Sequence, residues 1–465
     1  MKKFIFYSFL WLSYGLTAQP DTIVLTFKEY LGYVKKHHPI VKQAELTLEI
    51  GEANLLRARG GFDPKIEVDY SRKKFKEREY YDLLNATFKI PIWYGIEFKA
   101  DFEENTGLFL NPQNNVPVDG LYSAGVSLSL AQGLLVNDRM ATLRKAKFFN
   151  QQSKADRDLL VNKILFKASL AYFDWLKSYN EVKIYDSFLM NARTRFNGIA
   201  KSARVGERAA IDTVEAKIIV QNRELSLEQA RLSLIKKKLE LSNFLWIENN
   251  IPLELEEKVI PDVELLIAID AALQIENKPL SDFDISTHPK LKSLENKLEN
   301  LQVDKRLKAN KLLPKVDLEY NFLSQTPEIA NSFNTANYKA GLQISFPLFL
   351  RKERGDLKLA KFKVQDATFE LTSQELEIKN KITAIYNEIN SYDNQINLIQ
   401  NIVLDYEKLV AAEERKLSFG ESSIFLINSR EKSLIDAKLK TNEIMNKMFV
   451  SKAKLFNSLM VDLIE

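Results

Sequence analysis

The sequence predicts a mainly helical fold with some β structure, built as two tandem repeats of helix, strands, long helix and helix. Three observations predict it: an internal match at a fixed offset, two long stretches without proline, and short stretches of alternating apolar and polar residues between them. Each proline-free stretch, of roughly 64 residues, would rise about 95 Å as one helix. Helices of that length are typical of coiled coils and helical arrays rather than of compact globules.

The composition excludes several classes of protein. The chain of 465 residues is 45% hydrophobic and 28% charged, which is too polar for a bundle of membrane helices. Its formal net charge is +4, so no basic face for nucleic acid is indicated. The absence of cysteine excludes disulfides and thiolate chemistry. No phosphate loop, nucleophile elbow or metal-ligand motif is present, so we expect neither an enzyme nor a bound cofactor or metal.

The first residues resemble a secretory signal. Lys2 and Lys3 precede an apolar run over 4–16, and small or polar residues follow over 17–19. The alternative is an uncleaved N-terminal helix, but a run of this length is short for a membrane span. Beyond residue 20 no apolar stretch reaches the roughly 18 residues of a transmembrane helix, so any membrane segment would consist of strands in a closed barrel.

An internal repeat organises the rest of the chain. His38-Pro39 and His288-Pro289 each begin a helical pattern, and a strand-like segment follows each helix at an offset of 250 positions. Proline suits the first turn of a helix because its missing N–H has no helical partner there. We predict a signal peptide at 1–19, a first repeat at 20–250, a linker or equatorial segment at 251–286 and a second repeat at 287–465. Strands are predicted at about 65–131 and 315–348, and helical hairpins at about 137–246 and 354–460.

Apolar spacing within the long helices predicts supercoiled packing. From Ile378 to Val410, isoleucine, valine and tyrosine alternate spacings of four and three, which is a heptad seam. The helix after Gly206 carries two seven-residue rows, offset by two residues or about 200°. One row runs from Ile211 to Trp246 and the other from Val220 to Leu241. A helix in the wall of a closed ring needs two such rows, although a helix inside a soluble bundle remains the alternative.

Strand-like segments lie between the helices of each half, at 86–102, 121–130 and 338–348. Alternation of apolar and polar residues is typical of barrel strands. Since both flanking helices lie on one side of the membrane, each half needs an even number of strands. The second half indicates two, and the longer first half has room for an additional hairpin around Trp93-Tyr94-Gly95. Four to six strands cannot close a wide barrel, so we expect copies of the chain to share one with cyclic symmetry.

The segment Val205 to Ala216 carries the most specific motif, Val-Gly-x-x-x-x-x-Asp-x-x-x-Ala. It resembles the tip signature of the TolC-like outer-membrane efflux protein family, and Phe419-Gly420-Glu421-Ser422 is a weaker counterpart. The resemblance implies a homotrimer with an α-helical barrel in the periplasm and a shared transmembrane β-barrel among outer-membrane lipid. It implies passive passage of substrate from an inner-membrane pump to the outside, in a tripartite efflux or type I secretion system. A periplasmic adaptor protein would dock at the tips, at Val205, Gly206, Glu207, Arg208, Phe419, Gly420, Glu421 and Ser422.

Two carboxylates follow the first tip. Asp212 and Glu215 are spaced i, i+3 and share a helix face, so three copies would form a ring of carboxylates able to attract cations. The alternative is that they are ordinary acidic residues at a helix start, where negative charge is favourable. The sequence departs here from well-known family members, whose constricting carboxylates lie in the second repeat, where this chain has Leu426 and Ser429.

Two other functions fit part of the pattern. A periplasmic adaptor also combines a helical hairpin with β structure, but it has one hairpin rather than two. A surface coiled-coil structural protein would have long helices without two matched groups of strands. The tandem repeat therefore favours the channel over both alternatives.

Overall fold

The computed structural model describes residues 22–276, 283–328 and 334–460. The predicted signal peptide at 1–19 lies outside the described residues. The chain forms two compact units, which are treated separately below. Unit 1 comprises Met1–Val41, Lys163–Lys278 and Ala384–Glu465, and unit 2 comprises Lys42–Asn162 and Pro279–Thr383.

The described elements follow the predicted repeat order. The helices are α1 (Phe27–His37), α2 (Pro39–Arg59), α3 (Asp138–Arg204), α4 (Ala210–Ser242), α5 (Leu265–Ala272), α6 (Pro289–Asn310), α7 (Arg351–Ser418) and α8 (Ile424–Leu459). The strands are β1 (Ile23–Leu25), β2 (Lys65–Phe75), β3 (Arg78–Pro91), β4 (Ile96–Thr106), β5 (Leu121–Ala131), β6 (Trp246–Ile247), β7 (Ile251–Pro252), β8 (Val259–Pro261), β9 (Lys315–Ser324) and β10 (Tyr338–Ser345).

The two proline-free stretches each form a single helix. Helix α3 has 67 residues and α7 has 68, so each rises about 100 Å. Within the described residues, none of the helices combines the length and the apolar composition that a membrane span requires.

Helix α4 is shorter than its apolar row predicted. The helix ends at Ser242, and Trp246 lies in the two-residue strand β6, which pairs with β7. The backbone N–H groups of Phe244 and Leu245 donate to the carbonyls of Leu241 and Ser242 in turn geometry. The seven-residue spacing of apolar residues therefore continues to one residue beyond the end of the helix. The helix ends four residues before the predicted boundary at about 246.

Aromatic residues fill the core of unit 1. Phe27 and Tyr30 of α1 pack against Tyr172 of α3, with ring centres 5.2 and 5.5 Å apart. The Tyr172 hydroxyl donates to the carbonyl of Leu25 (2.7 Å) and accepts from the N–H of Asp262 (3.0 Å). These bonds hold α3 to the ends of the parallel strands β1 and β8. Burial and these partners thus fix the segment between the two repeats to the long helix.

Both His-Pro pairs begin a helix in the same way. The Nδ1 atom of His38 accepts a hydrogen bond from the N–H of Ile40 (3.1 Å), and that of His288 accepts from the N–H of Lys290 (3.0 Å). Each histidine is buried and satisfies a backbone donor of the first helical turn. Burial lowers the pKa of His38. Among the described residues, no group of three histidine or acidic side chains has the arrangement of a metal site.

In unit 2, six of the described strands form one antiparallel sheet in the order β10-β9-β5-β4-β3-β2. Strands β5 and β9 join the two repeats, with Ala124 opposite Phe322. The first half supplies four strands, because β3 and β4 form the additional hairpin around Trp93–Gly95.

The two faces of the sheet differ in polarity. Residues that lie opposite each other on neighbouring strands point to the same face, and these opposed residues have similar polarity. One face is apolar and includes Phe88, Ala100, Ala124, Phe322 and Tyr338 in one row across the strands. The other face carries charged and hydroxyl side chains. The edge strands β2 and β10 are exposed along their whole length.

Candidate functional site at the helical hairpin turns

Four helices of unit 1 position the predicted tip residues. Helix α3 contacts α4 through Ala192 and Ala216, and contacts α7 and α8 through Phe188. The predicted heptad seam of α7 is buried, and its Ile396 packs against Met448 of α8. Helices α4 and α7 each pack against both α3 and α8, so α3 and α8 form the inner pair.

The two turns share one backbone motif. At the end of α3 the N–H of Glu207 donates to the carbonyl of Ser202 (3.0 Å), and the N–H of Gly206 donates to that of Ala203 (3.2 Å). At the end of α7 the N–H groups of Glu421 and Gly420 make the same bonds five and three residues back, at 2.9 and 3.1 Å. This is the Schellman motif, which requires a left-handed residue after the helix. Gly206 and Gly420 supply it with φ of 81° and 78°, at no steric penalty.

The turns expose apolar and acidic side chains. Val205 is 65% exposed and Phe419 is 74% exposed, and Glu207 and Glu421 are exposed beside them. Large apolar side chains that stand out into solvent at the end of a helical hairpin have no folding role within one chain. Such a surface is typical of a contact site for another protein.

Arg208 joins the two turns. Its Nη2 lies 3.5 Å from the carbonyl oxygen of Leu417 at the C-terminal end of α7, where a cation is favourable. Its Nη1 lies 3.8 Å from Asp212 Oδ2. The structure thus brings both predicted tip segments to the same end of the hairpins.

The second turn is capped more fully than the first. The Ser423 hydroxyl accepts from the N–H of Leu426 (3.3 Å) at the start of α8, and Ser422 donates to Glu413 (2.5 Å). Ala209, at the start of α4, offers no side-chain acceptor. Arg208 and its ion pair with Asp212 are therefore the main side-chain contacts that order the first turn.

The two predicted aperture carboxylates differ in environment. Asp212 is half-buried and paired with Arg208, so its charge is partly offset. Glu215 is also half-buried, and it makes no hydrogen bond or ion pair within the described ranges. Leu426 and Ser429, at the corresponding places of the second repeat, are exposed.

A buried ion network, which the sequence analysis missed, lies between the four helices. Arg195 of α3 contacts Glu431 of α8 (3.2 Å) and Glu414 of α7 (3.0 Å). Arg195 donates to both oxygens of Glu431, and Arg223 of α4 contacts Glu431 Oε2 at 3.7 Å. Glu431 is 1% exposed, so its charge depends on the two arginines. Burial lowers the pKa of Arg223.

Each flanking helix leaves an apolar row in solvent. On α4, the predicted row that faces away from the bundle is exposed and the opposite row is turned inward; Leu225 is 59% exposed, whereas Leu227 is 2% exposed. On α7, apolar side chains also face outward. The exposed α4 row is Ile211, Ile218, Leu225, Leu232 and Leu239, and the exposed side chains of α7 in unit 1 are Leu398, Ile402, Leu404 and Leu409.

Comparisons with known proteins agree with this architecture. A family model described as outer membrane efflux protein matches residues 285–457. Most of the second repeat is therefore similar in sequence to outer membrane efflux proteins. The resemblance to the TolC-like outer-membrane efflux protein family that the sequence predicted is confirmed over these residues.

Several solved structures of outer membrane proteins and transmembrane channels share the fold over nearly the whole chain. CusC superposes with a TM-score of 0.66 at 13% identity, covering 93% of this chain and 91% of that one. The open state of the MtrE outer membrane channel of Neisseria gonorrhoeae gives 0.66 at 13%, covering 93% and 88%. VceC of Vibrio cholerae gives 0.65 at 13%, covering 93% and 95%. No curated protein matches the chain in sequence.

Proposed function

We propose that the protein is the outer-membrane channel subunit of a tripartite efflux or type I secretion system, and that three copies close one channel. The observation that carries the proposal is a six-stranded sheet with one apolar face and two edges that pair with no other strand among the described residues. Unpaired backbone groups are not tolerated in lipid. Edge β2 of one copy therefore pairs with edge β10 of the next, and three copies give one barrel.

The dimensions of the sheet support a membrane location. From Tyr122 to Leu130, β5 places five apolar side chains on one face over about 26 Å. An outward apolar band of about 25 Å is usual in outer-membrane barrels. With six strands from each copy, the barrel has about eighteen strands, the size that leaves an aqueous channel.

The opposite face of the sheet supplies a hydrated lining. Lys99 and Glu319 form an ion pair at 3.2 Å, and the hydroxyls of Ser123 and Ser129 donate to Asp101 and Asp317. These charges of mixed sign suit passage of varied solutes by diffusion.

The helical flanks support the same symmetry. The exposed rows of α4 and α7 are different surfaces, so a contact between them joins copies head to tail. A head-to-tail contact that closes gives a ring, and here the ring is a helical tube. The two hairpins in one chain also argue against the adaptor alternative, which needs only one.

The exposed turns are the proposed docking site for a periplasmic adaptor protein, which in turn contacts an inner-membrane pump. Val205, Gly206, Glu207 and Arg208 form one contact segment, and Phe419, Gly420, Glu421 and Ser422 form the other. Substituting Val205 and Phe419 with Asp should abolish export in cells while the purified channel still conducts. Export at the unsubstituted level would refute docking at the turns.

The channel is tested by extracting it from the outer-membrane fraction and recording single-channel currents in a planar bilayer. We expect stable, cation-preferring currents, because Asp212 and Glu215 of three copies ring the axis near the turns. The double variant Asp212→Ala, Glu215→Ala should lose the cation preference. The matched control Glu228→Ala, Glu240→Ala removes two exposed carboxylates further along α4 and should retain it. A protein that inserts but never conducts would refute the proposed function.

A further inference from the structure

The β2–β3 hairpin ends in a two-residue turn far from the helices of unit 2. Helix α2 ends at Arg59, just before β2 begins, so the turn at Lys76-Glu77 lies at the opposite end of the strand. If the sheet spans the outer membrane, as the proposed function requires, this turn lies at the outer surface. The inference below rests on that orientation.

The end of this hairpin is strongly basic. Every side chain from 71 to 78 is exposed, and this segment contains five cationic residues and one acidic residue. Arg72 is paired with Glu79 and with Asp82 (3.5 Å). The cationic residues, called the basic hairpin end below, are Arg72, Lys73, Lys74, Lys76 and Arg78.

Most of this charge is not neutralised. The Lys73 ammonium lies 4.9 Å from the ring centre of Tyr80, a contact that orients the charge without cancelling it. Lys74 and Arg78 form no hydrogen bond or ion pair with any residue in the described ranges. Lys76 and Glu77 both adopt positive φ, at 49° and 57°, in a turn that favours Asn-Gly. Long charged side chains therefore occupy the turn against its conformational preference.

An apolar groove lies on the apolar face of the same sheet. It has a volume of about 510 Å³, within the range of about 300–1,000 Å³ for small-molecule sites. Ala86, Ala100 and Ala124 line its base, and rings such as Phe102 and Phe322 line its sides. Small residues between aromatic ones leave a slot of the kind that an alkyl chain fills.

The groove and the basic hairpin end lie along the same strand, β3. From Ala86 to Asp82, the partner of Arg72, the strand rises about 13 Å. Tyr70 lies between them, and its hydroxyl donates to Asp82 at 3.1 Å. An amphipathic ring between an apolar slot and a charged cluster marks the level at which lipid headgroups begin.

We propose that the groove and the basic hairpin end together bind a phosphate-bearing lipid of the outer leaflet. One acyl chain occupies the groove, and the phosphate contacts Lys73, Lys74 and Lys76. Lysine binds phosphate as a point charge, and basic side chains beside a membrane attract anionic headgroups. The apolar groove selects a lipid over a free anion, because a free phosphate has nothing to place there.

The test measures binding to the purified oligomer in detergent by native mass spectrometry. The probes are diphosphoryl lipid A, dimyristoyl phosphatidylcholine and inorganic pyrophosphate. We expect retention of the diphosphoryl lipid at least tenfold above that of phosphatidylcholine. The triple variant Lys73→Gln, Lys74→Gln, Lys76→Gln should reduce this retention about tenfold. The matched control Lys361→Gln, Lys363→Gln, Lys379→Gln removes three exposed lysines of α7 and should not.

A second variant tests the groove independently of charge. Ala100→Leu with Ala124→Leu fills the slot and should also weaken lipid retention, while oligomer mass and conductance stay unchanged. Retention unaffected by the lysine triple variant, or pyrophosphate binding as tight as that of the lipid, would overturn the inference. Neither result affects the proposed channel. Loss of outer-membrane extraction or of conductance in the unsubstituted protein would instead overturn the proposed function.

Discussion

The inner pair of helices in unit 1 and the two flanking helices use apolar residues differently. Helices α3 and α8 are buried on most sides, and the network around Glu431 lies between them and their neighbours. Helices α4 and α7 bury one row each and leave another row of isoleucine and leucine exposed. The inner pair is therefore covered within one chain, whereas the flanks are left exposed, as the proposed contact between copies requires.

This difference separates folding from assembly. A change on the inner side should destabilise the chain itself, because it leaves a cavity or an unpaired charge. A change on a flank should leave the chain folded and weaken only the contact between copies. The predictions below test that division, beginning with the largest expected effect.

Removing the charge of Glu431 should have the largest effect on stability. Glu431→Gln leaves Arg223 without its carboxylate partner and leaves Arg195 with only the half-exposed Glu414, so we expect a loss of about 3 kcal/mol. Glu414→Gln removes the half-exposed partner of Arg195 and should cost less than about 1 kcal/mol. Denaturant unfolding of both variants in detergent measures the difference. Equal losses would mean that the network is not buried in solution.

Two leucines on one helix give the most direct comparison between the inner side and the flank. Leu227→Ala should destabilise the chain by about 2–3 kcal/mol, because its side chain is buried against the bundle. Leu225→Ala, two residues away on the exposed side, should leave the unfolding of isolated chains unchanged and lower the temperature at which the oligomer dissociates. Circular dichroism measures the unfolding of the chain, and migration on a gel measures the dissociation of the oligomer. Identical behaviour would contradict the division.

The smallest effect concerns pH. The pKa of His38 is lowered in the folded chain, so the unfolded chain binds more protons as pH falls below about 6.5. His38 therefore contributes its full stability above that pH and loses it as pH falls through the folded pKa. His38→Gln keeps a side-chain acceptor at the helix start but does not titrate, so it should flatten this part of the pH profile. A profile as steep as that of the unsubstituted protein would assign the effect to another group.

Periodicity predicted the elements of this fold better than it predicted their contacts. The seam from Ile378 to Val410 and the two rows of α4 follow directly from helix geometry, and strand alternation predicted both faces of the sheet. The additional hairpin around Trp93–Gly95 was predicted from the greater length of the first half rather than from periodicity. Trp246 is the exception, because a seven-residue spacing does not show where a helix stops.

The contacts that the sequence did not predict are between residues distant in the chain. Arg195, Arg223 and Glu431 are ordinary charges in polar helices, and only packing shows that they meet. The sequence predicts the two helix starts from proline, whereas the structure shows that the preceding histidine also caps each helix. A side-chain acceptor just before Pro39 and Pro289 was the available signal for their capping role.

Cross-linking of the flanks tests the central claim that the chain is complete only in a closed ring. Ile218 lies 12 residues after Gly206 and Leu409 lies 11 residues before Gly420, so both lie about 17–18 Å from the turns. The chain has no cysteine, so Ile218→Cys with Leu409→Cys gives two defined thiols for a flexible bismaleimide. Treated outer membranes should yield covalent dimers and trimers and nothing larger, whereas either single variant should stay monomeric. Monomers alone from the double variant, or a ladder beyond three chains, would contradict the account.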